Sequence, residues 1–367
     1  MKGIHQTSSD SREGEPRPVV SLVVLACNVA HYIDQCLQSL VNQSFRDFEV
    51  IIVNDGSTDA TADLAHRAAQ QDRRMVVIDN PRNRGTFVSR CIGAERSGGE
   101  YLCLIDGDDW VAPTFLEEMV AAVRRHAADV VECCAYGVRP DGRTRIVFRT
   151  ETSPRAAHGR DILHHALSRD IWHTAWNKMF DRRLYLRAAP MLRAIDEHLV
   201  VADDKLFMLP ILGFAQHFIH IDRPLYRYRL RADSSTRLRN EAADLRHIVQ
   251  TSRVDEHLLD MLPALGVTGD HAWLIARNRN DEILIALRIL DRYPQDAPTR
   301  HQLERLLRSN YGSPAVELVD RRRRSVSCRL RWLLQRYSAR TLARMAWRSA
   351  KRAVSVMLQR PVDKSPI

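Results

Sequence analysis

No stretch of this sequence approaches the roughly 18 consecutive apolar residues that a membrane-spanning helix needs, so the chain does not read as an integral membrane protein. No G-x-G-x-x-G follows its first apolar run, which argues against a dinucleotide-binding oxidoreductase. The seven cysteines, at 27, 36, 91, 103, 133, 134 and 328, are odd in number and include no C-x-x-C. Several lie in apolar runs, where a free thiol behaves as a small hydrophobe, so the pattern points to a reducing compartment. The opening MKGIHQTSSDSREGEPRP has no apolar core segment and does not read as a signal peptide. Acidic residues are missing from 321–360, which holds 13 Arg and Lys; with those set aside, the net charge of +10 becomes −3 over the other 327 residues. The basic character therefore belongs to a tail, and no nucleic-acid partner is expected for the body. These absences together place the protein in the cytoplasm or at a membrane surface.

What is present is an alternation of short apolar runs with amphipathic stretches. Apolar runs at 19–26, 49–53, 75–78, 101–105 and 129–136 read as strands. Helical patterns at 30–43, 58–71, within 83–97 and at 113–127 separate them. Such a series implies a mostly parallel sheet with right-handed crossovers, flanked by helices. Beyond residue 137 the pattern changes. A strand is expected at 143–150, a helix at 158–168, an aromatic-rich extended stretch at 171–180 and a helix at 201–213. Strands follow at 217–221 and 225–230, and then helices at 240–263, 269–291, 298–308 and 325–358. The expected organisation is a disordered leader over 1–17, a catalytic domain over 18–236, a helical extension over 237–317 and a basic amphipathic tail over 318–367.

The most informative stretch is Tyr101–Trp110, an apolar run that stops at Asp106, Asp108 and Asp109. Carboxylates at the carboxyl end of a buried strand sit where open α/β sheets bind ligands. Three acids this close repel one another, and oxygen ligands of this kind suit Mg²⁺ or Mn²⁺ shared with substrate phosphates. The same residues equally suit an acidic turn that caps the helix after Pro113. A second strand ends in Asn54-Asp55-Gly56-Ser57. Asp55 there suits either a helix cap with a tight turn or a hydrogen bond to a nucleotide base or ribose.

Six segments, in order, resemble the family 2 glycosyltransferases, inverting enzymes on the GT-A fold. SLVVLACN is similar to that family's "SVIIPxYN" and FEVIIVNDGSTD to its "xEIIVVDDGSTD". NRGTFVSRCIGAERSGGEYLCLIDGDDW is similar to "NxGxxxARNxGixxAxGEYixFlDsDDw". WNKMF, ADDKLF and PLYRYR stand for "WNKLY", "xEDxxF" and "PLYxYR". The resemblance covers about residues 18–236. It implies a nucleotide-diphosphate sugar donor, a UDP-sugar first among them, and a divalent metal, Mn²⁺ or Mg²⁺. Asp55 would bind the base, Asp106 the ribose and Asp108 the metal, with Asn28 also on the donor side; Arg90 would pair with the nucleotide there or brace the acids as a structural ion pair within the sheet edge. Inversion requires a general base within reach of the acceptor hydroxyl. The resemblance assigns it to Asp204, with Asp203 in place of the family's Glu; carboxylates opening a helix are also favoured by its dipole alone. Trp176, Asn177 and Lys178 would line the acceptor side, with Trp176 equally suited to the core.

Some positions depart from the pattern. Leu25 and Cys27 replace the usual Pro and Tyr, Cys91 replaces an Asn, and Asn54 replaces the first Asp. Loss of the Tyr face forfeits on the order of 1 kcal/mol of stacking. No Q-x-x-R-W is present, which argues against a processive synthase. In the tail, Arg336, Arg340, Arg344, Arg348 and Arg352 recur every four residues beside a broken apolar face. That arrangement suits an anionic membrane surface, a helix packed on the body, or an acidic partner. The expected function is transfer of a sugar to a hydroxyl of a glycan or lipid-linked acceptor in cell-surface polysaccharide biosynthesis, on the cytoplasmic face of the inner membrane. The alternative is a catalytically idle GT-A-fold scaffold docked to membrane by the tail.

Overall fold

The computed structural model describes residues 17–147, 153–231, 234, 240–267, 283, 285–294 and 296–311. Two compact units divide the chain, 1–282 and 283–367. The leader and the basic tail lie outside the described residues, as do most of the helix expected at 269–291 and the end of the strand expected at 143–150.

The first unit is built on a ten-stranded sheet ordered β3-β2-β1-β4-β9-β6-β10-β5, with β7 paired to β6 and β8 to β10. Strands β1 (Val20–Ala26), β2 (Phe48–Asn54), β3 (Met75–Asp79) and β4 (Tyr101–Asp106) pair in parallel. Their connections are α1 (Ile33–Val41), α2 (Thr61–Gln71) and α3 (Thr86–Arg96). The expected strand–helix series is therefore present. Every residue of β1 and β2 is buried, which is why these strands read as unbroken apolar runs rather than as alternation.

The far half of the sheet is mixed. β9 (Lys178–Asp181) runs antiparallel between β4 and β6 (Val130–Val138), while β10 (His217–Arg229) pairs in parallel with β6. The two strands expected at 217–221 and 225–230 are one strand whose pairing slips at Ile221/Pro224 and again at Pro224/Tyr226. Pro224 lacks a ladder N–H, so an irregular position is where a sheet tolerates it. Short strands β5 (Trp110–Val111), β7 (Thr144–Val147) and β8 (Ala156–His158) complete the sheet.

Side chains of β1 alternate between two cores. Val23 and Leu25 join α3, α5 (Arg160–Leu167), α6 (Arg182–Arg193), α7 (Asp203–Phe214) and α8 (Glu241–Met261) on one face. Leu22 and Val24 join α1, α2 and α4 (Phe115–His126) on the other. Gly93 lets α3 lie hard against the sheet, since a Cβ there would stand 2.2 Å from Val23 Cγ1. α6 was not expected from sequence; it carries Pro190 internally, which signals a break rather than a helix. α8, assigned from sequence to the extension, packs on the first unit through a buried Lys205–Asp255 ion pair of 2.6 Å. In the second unit, Leu287 and Leu290 are buried, as are Leu303 and Leu307 of α9 (Pro298–Tyr311). Arg300 there donates to the carbonyls of Leu290 and Tyr293, the usual way to satisfy orphan acceptors at a helix end.

Candidate active site

β4 delivers its acids at the carboxyl edge of the sheet beside the end of β1. Gly107 makes the turn: its N–H donates to Leu25 O at 2.8 Å, and a Cβ there would stand 2.7 Å from that oxygen. The three acids then diverge. Asp109 turns inward, accepting from the Tyr226 hydroxyl at 3.0 Å and the Arg229 backbone N–H at 2.7 Å. Burial, reinforced by Asp108 and Asp106, pushes its carboxyl well above the ordinary range. Asp109 is thus a brace between β4 and β10. Asp108 stays partly open, with Arg231 Nε 3.3 Å from its Oδ2. Its carbonyl accepts from Arg229 Nε at 2.7 Å. The Arg229 guanidinium in turn lies over the rings of Tyr32 and Trp110.

Asp106 faces the other way, toward α3 and α7. The buried Arg90 guanidinium, 4% exposed, lies 3.8 Å from Asp106 Oδ1 and 2.6 Å from Asp204 Oδ1. It also makes a close ion pair with Asp203. One side chain of α3 therefore collects carboxylates from β4 and from the first turn of α7, about a hundred residues apart in sequence. Left-handed Ala202 (φ 58°) opens that helix, and Asp203 and Asp204 gain from its positive end. Burial opposes the Arg90 charge, but Asp203, Asp204 and Asp106 together raise its pKa. Burial pushes Asp106 up to about 7; Asp204, Asp108 and Asp203 add to this and Arg90 opposes it. Burial likewise pushes Asp204 up to about 6, aided by Asp203 and held back by Arg90 and Lys178. Both carboxylates keep about a quarter of their side-chain surface exposed, 27% and 26%, so water and substrate can reach them.

The other expected donor-side residues bind loops to one another. Asp55 is buried and accepts from Asn80 Nδ2 (2.8 Å), Arg84 N (2.8 Å) and Gly85 N (2.9 Å). Three donors on a carboxylate with about four lone-pair sites leave room for one more. Asn28, left-handed at φ 52°, receives Thr58 N on its Oδ1 at 2.8 Å and donates its own N–H to Ser57 Oγ at 3.1 Å. It ties the loop after β1 to the loop after β2.

The residues expected on the acceptor side, Trp176 with the core as its equal alternative, lie inside the protein. Trp176 is 3% exposed and packs against the rings of Tyr226 (4.5 Å) and Tyr228 (5.3 Å). Asn177 donates to Cys133 O at 3.0 Å and accepts from Thr174 Oγ1 at 2.8 Å. Lys178 is fully buried, 2.7 Å from Glu132 Oε1. Trp176, Asn177 and Lys178 are thus all buried, and their side chains meet partners within the protein. Sequence inspection missed Tyr226, Arg229 and Arg231 as individual contacts, although the PLYRYR motif that carries the first two was visible.

Acids gathered around one arginine at the carboxyl end of parallel strands lie where open α/β sheets bind ligands. The chain's kinship is narrower: residues 21–189 match the family model for glycosyl transferase family 2, which identifies a domain of that family within the chain. EpsJ, an uncharacterised glycosyltransferase of Bacillus subtilis (strain 168), is 28% identical over 307 residues, 81% of this chain and 79% of EpsJ. EpsH of the same organism is 32% identical over 219 residues, 59% of this chain and 62% of EpsH. Among solved structures, S. aureus TarS in complex with UDP-GlcNAc is 20% identical with a TM-score of 0.49, covering 72% of this chain and 80% of that one. The fold is a mixed α/β sheet flanked by helices, and the family match supports transferase activity.

Proposed function

We propose that this chain is an inverting glycosyltransferase that moves a sugar from a nucleoside-diphosphate donor, a UDP-sugar first among candidates, to a hydroxyl of a glycan or lipid-linked acceptor. The observation that carries this reading is the Arg90 hub. It joins Asp106, on the donor side by family pattern, to Asp204, on the attacking side. A pKa near 6 suits Asp204 to base work, since an efficient general base titrates close to the working pH. At pH 7 such a group is about nine-tenths ionised. Asp204 takes the proton of the acceptor hydroxyl as its oxygen bonds to the anomeric carbon and the nucleoside diphosphate departs on the opposite face. Arg90 and Asp203 hold Asp204 at a fixed distance from the donor side.

A divalent ion, Mn²⁺ or Mg²⁺, suits this edge. Asp108 is partly exposed at the same strand end as Asp106, and burial, with Asp204, Asp108 and Asp203 adding to it, pushes Asp106 up to about 7. When bound, the ion would neutralise charge developing on the leaving diphosphate. Transfer measured with Mn²⁺ and with chelator tests the assignment. Asp108→Ala is expected to lose metal-dependent transfer, and Asp204→Asn to bind donor but turn over at least about a hundredfold more slowly. Full activity of Asp204→Asn would place the base elsewhere.

The proposed setting is cell-surface polysaccharide synthesis on the cytoplasmic face of the inner membrane, with 321–360 against anionic lipid. The arginines that recur every four residues from Arg336 to Arg352 support this. Among the described residues, no helix is long and apolar enough to cross a membrane. Co-sedimentation with anionic vesicles should fall to background when 321–367 is removed; undiminished binding would refute the docking role.

A further inference from the structure

Lys178 and Glu132 lead to a second cluster on the far half of the sheet. Glu132 and Cys134 lie two apart on β6 and share a face, as do His220 and Asp222 on β10. His220 sits opposite Glu132 and Ile221 opposite Cys133, but the partner of Cys134 is Pro224. Asp222 and Arg223 are thus the extra residues of a bulge, and bulges re-aim side chains. Here the bulge brings Asp222 beside Cys134. The Cys134 Sγ lies 3.4 Å from His220 Nε2 and 3.5 Å from Asp222 Oδ1. All three ligand atoms lie within 4.8 Å of one another, with Cys134 and His220 buried and Asp222 exposed.

We propose that Cys134, His220 and Asp222 bind a divalent transition-metal ion of the zinc class, with solvent at the fourth position. Tetrahedral bonds of about 2.3 Å to sulfur and about 2.0 Å to nitrogen and oxygen require S···N and S···O separations of roughly 3.5 Å. The observed edges match that spacing. The donor set is mixed S, N and O, which suits a borderline-soft ion and not Mg²⁺ or Ca²⁺. The histidine is oriented for ligation: Nδ1 is held by Glu132 Oε2 at 2.9 Å, and Glu132 is fixed by Lys178 at 2.7 Å. A carboxylate on one ring nitrogen frees the other for a metal, a common outer-shell arrangement.

A cation coordinated by all three side chains would satisfy the Cys134–His220 and Cys134–Asp222 edges at once. The ion would pin the β10 bulge to β6, four residues before Tyr226 braces Asp109. The inference stands independently of the transfer reaction.

Cobalt(II) titration of the metal-stripped full chain, under non-thiol reductant and without nucleotide, tests it. The expected result is one equivalent bound with a thiolate-to-cobalt charge-transfer band, and a higher melting temperature with Zn²⁺. Asp106 and Asp108 offer only oxygen and give no such band. Cys134→Ser should abolish the band, and Asp222→Asn should weaken cobalt binding at least about tenfold, with circular dichroism unchanged. No band in the wild type, or a band unchanged in Cys134→Ser, overturns the site. Asp222 is exposed, so Asp222→Asn decides even where Cys134→Ser fails to fold: titration like the wild type overturns the three-ligand assignment.

Discussion

Replacing Arg90 by Met keeps the volume and the apolar stem but deletes the charge that three acids share. At an effective dielectric of about 20, a unit pair 2.6 Å apart attracts by roughly 6 kcal/mol and one 3.8 Å apart by roughly 4 kcal/mol; these are the separations of Arg90 from Asp204 and Asp106. Those gross attractions offset desolvation and are not net stability. Removing one partner of a buried pair, which strands the other charge, costs about 3–5 kcal/mol. Water reaching the quarter-exposed Asp106 and Asp204 screens part of that, so the lower end, about 3 kcal/mol, is expected. Against a typical total of about 5–15 kcal/mol the variant still folds, with a clearly lower urea midpoint at unchanged slope. The pH–rate profile gives an independent readout. Arg90 holds the Asp204 carboxyl down, so its loss moves the acid limb of kcat/KM to higher pH. Arg90→Lys keeps a charge but loses the planar fork that reaches several carboxylates, and should fall between wild type and Met. Adding Asp203→Asn to Arg90→Met should recover part of the stability, since it removes one stranded charge. If Arg90→Met unfolds within about 0.5 kcal/mol of wild type and keeps its acid limb near 6, the hub does not exist as described.

Two further predictions follow from the same geometry. In the wild type, kcat/KM should fall tenfold per pH unit below about 6, because Asp204 must be ionised to accept a proton and its pKa is pushed up to about 6 by burial, with Asp203 aiding and Arg90 and Lys178 opposing; a profile flat to pH 5 would exclude Asp204 as the base. Tyr226→Phe removes a donor to buried Asp109 and an acceptor from the Asp106 N–H, and should cost about 1–3 kcal/mol in urea unfolding; no loss would show that Asp109 is not braced from β10.

Legibility in the sequence followed the range of the interactions. The β1–β4 half was readable because its signals are local: buried strands of a parallel sheet are continuous apolar runs, and β2 and β4 lead straight into Asp55 and into Asp106, Asp108 and Asp109. The glycine of Asp106-Gly107-Asp108 was visible too, and the turn it makes against Leu25 O explains why no larger residue fits. The far half was not readable. β9 is four residues long and enters antiparallel between distant strands, a placement no local periodicity encodes. The slips in β10 look in sequence like a gap between two strands. Lys178, Asn177 and Trp176 were expected on the acceptor side from the resemblance of WNKMF to a family motif, with the core an equal alternative for Trp176. Their partners, Glu132 and Tyr226, are 46 and 50 residues away, and only the fold shows that these needs are met internally.

The division of labour among the acids follows from which strand supports each one. Asp106, Asp108 and Asp109 share one strand end, yet they answer to different segments: Asp106 to Arg90 on α3, Asp108 to Arg231, and Asp109 to Tyr226 and Arg229 on β10. β10 thus fixes the acid turn from outside the parallel half, and its register decides whether Tyr226 meets Asp109. That register passes through the bulge at Asp222, two residues beyond His220 and beside Cys134. A one-residue slip would turn every β10 side chain to the opposite face, carrying the Tyr226 hydroxyl away from the acids. Whatever holds the bulge in place, the Glu132–His220 pair alone or a metal ion beside it, therefore also sets the turn that presents Asp108.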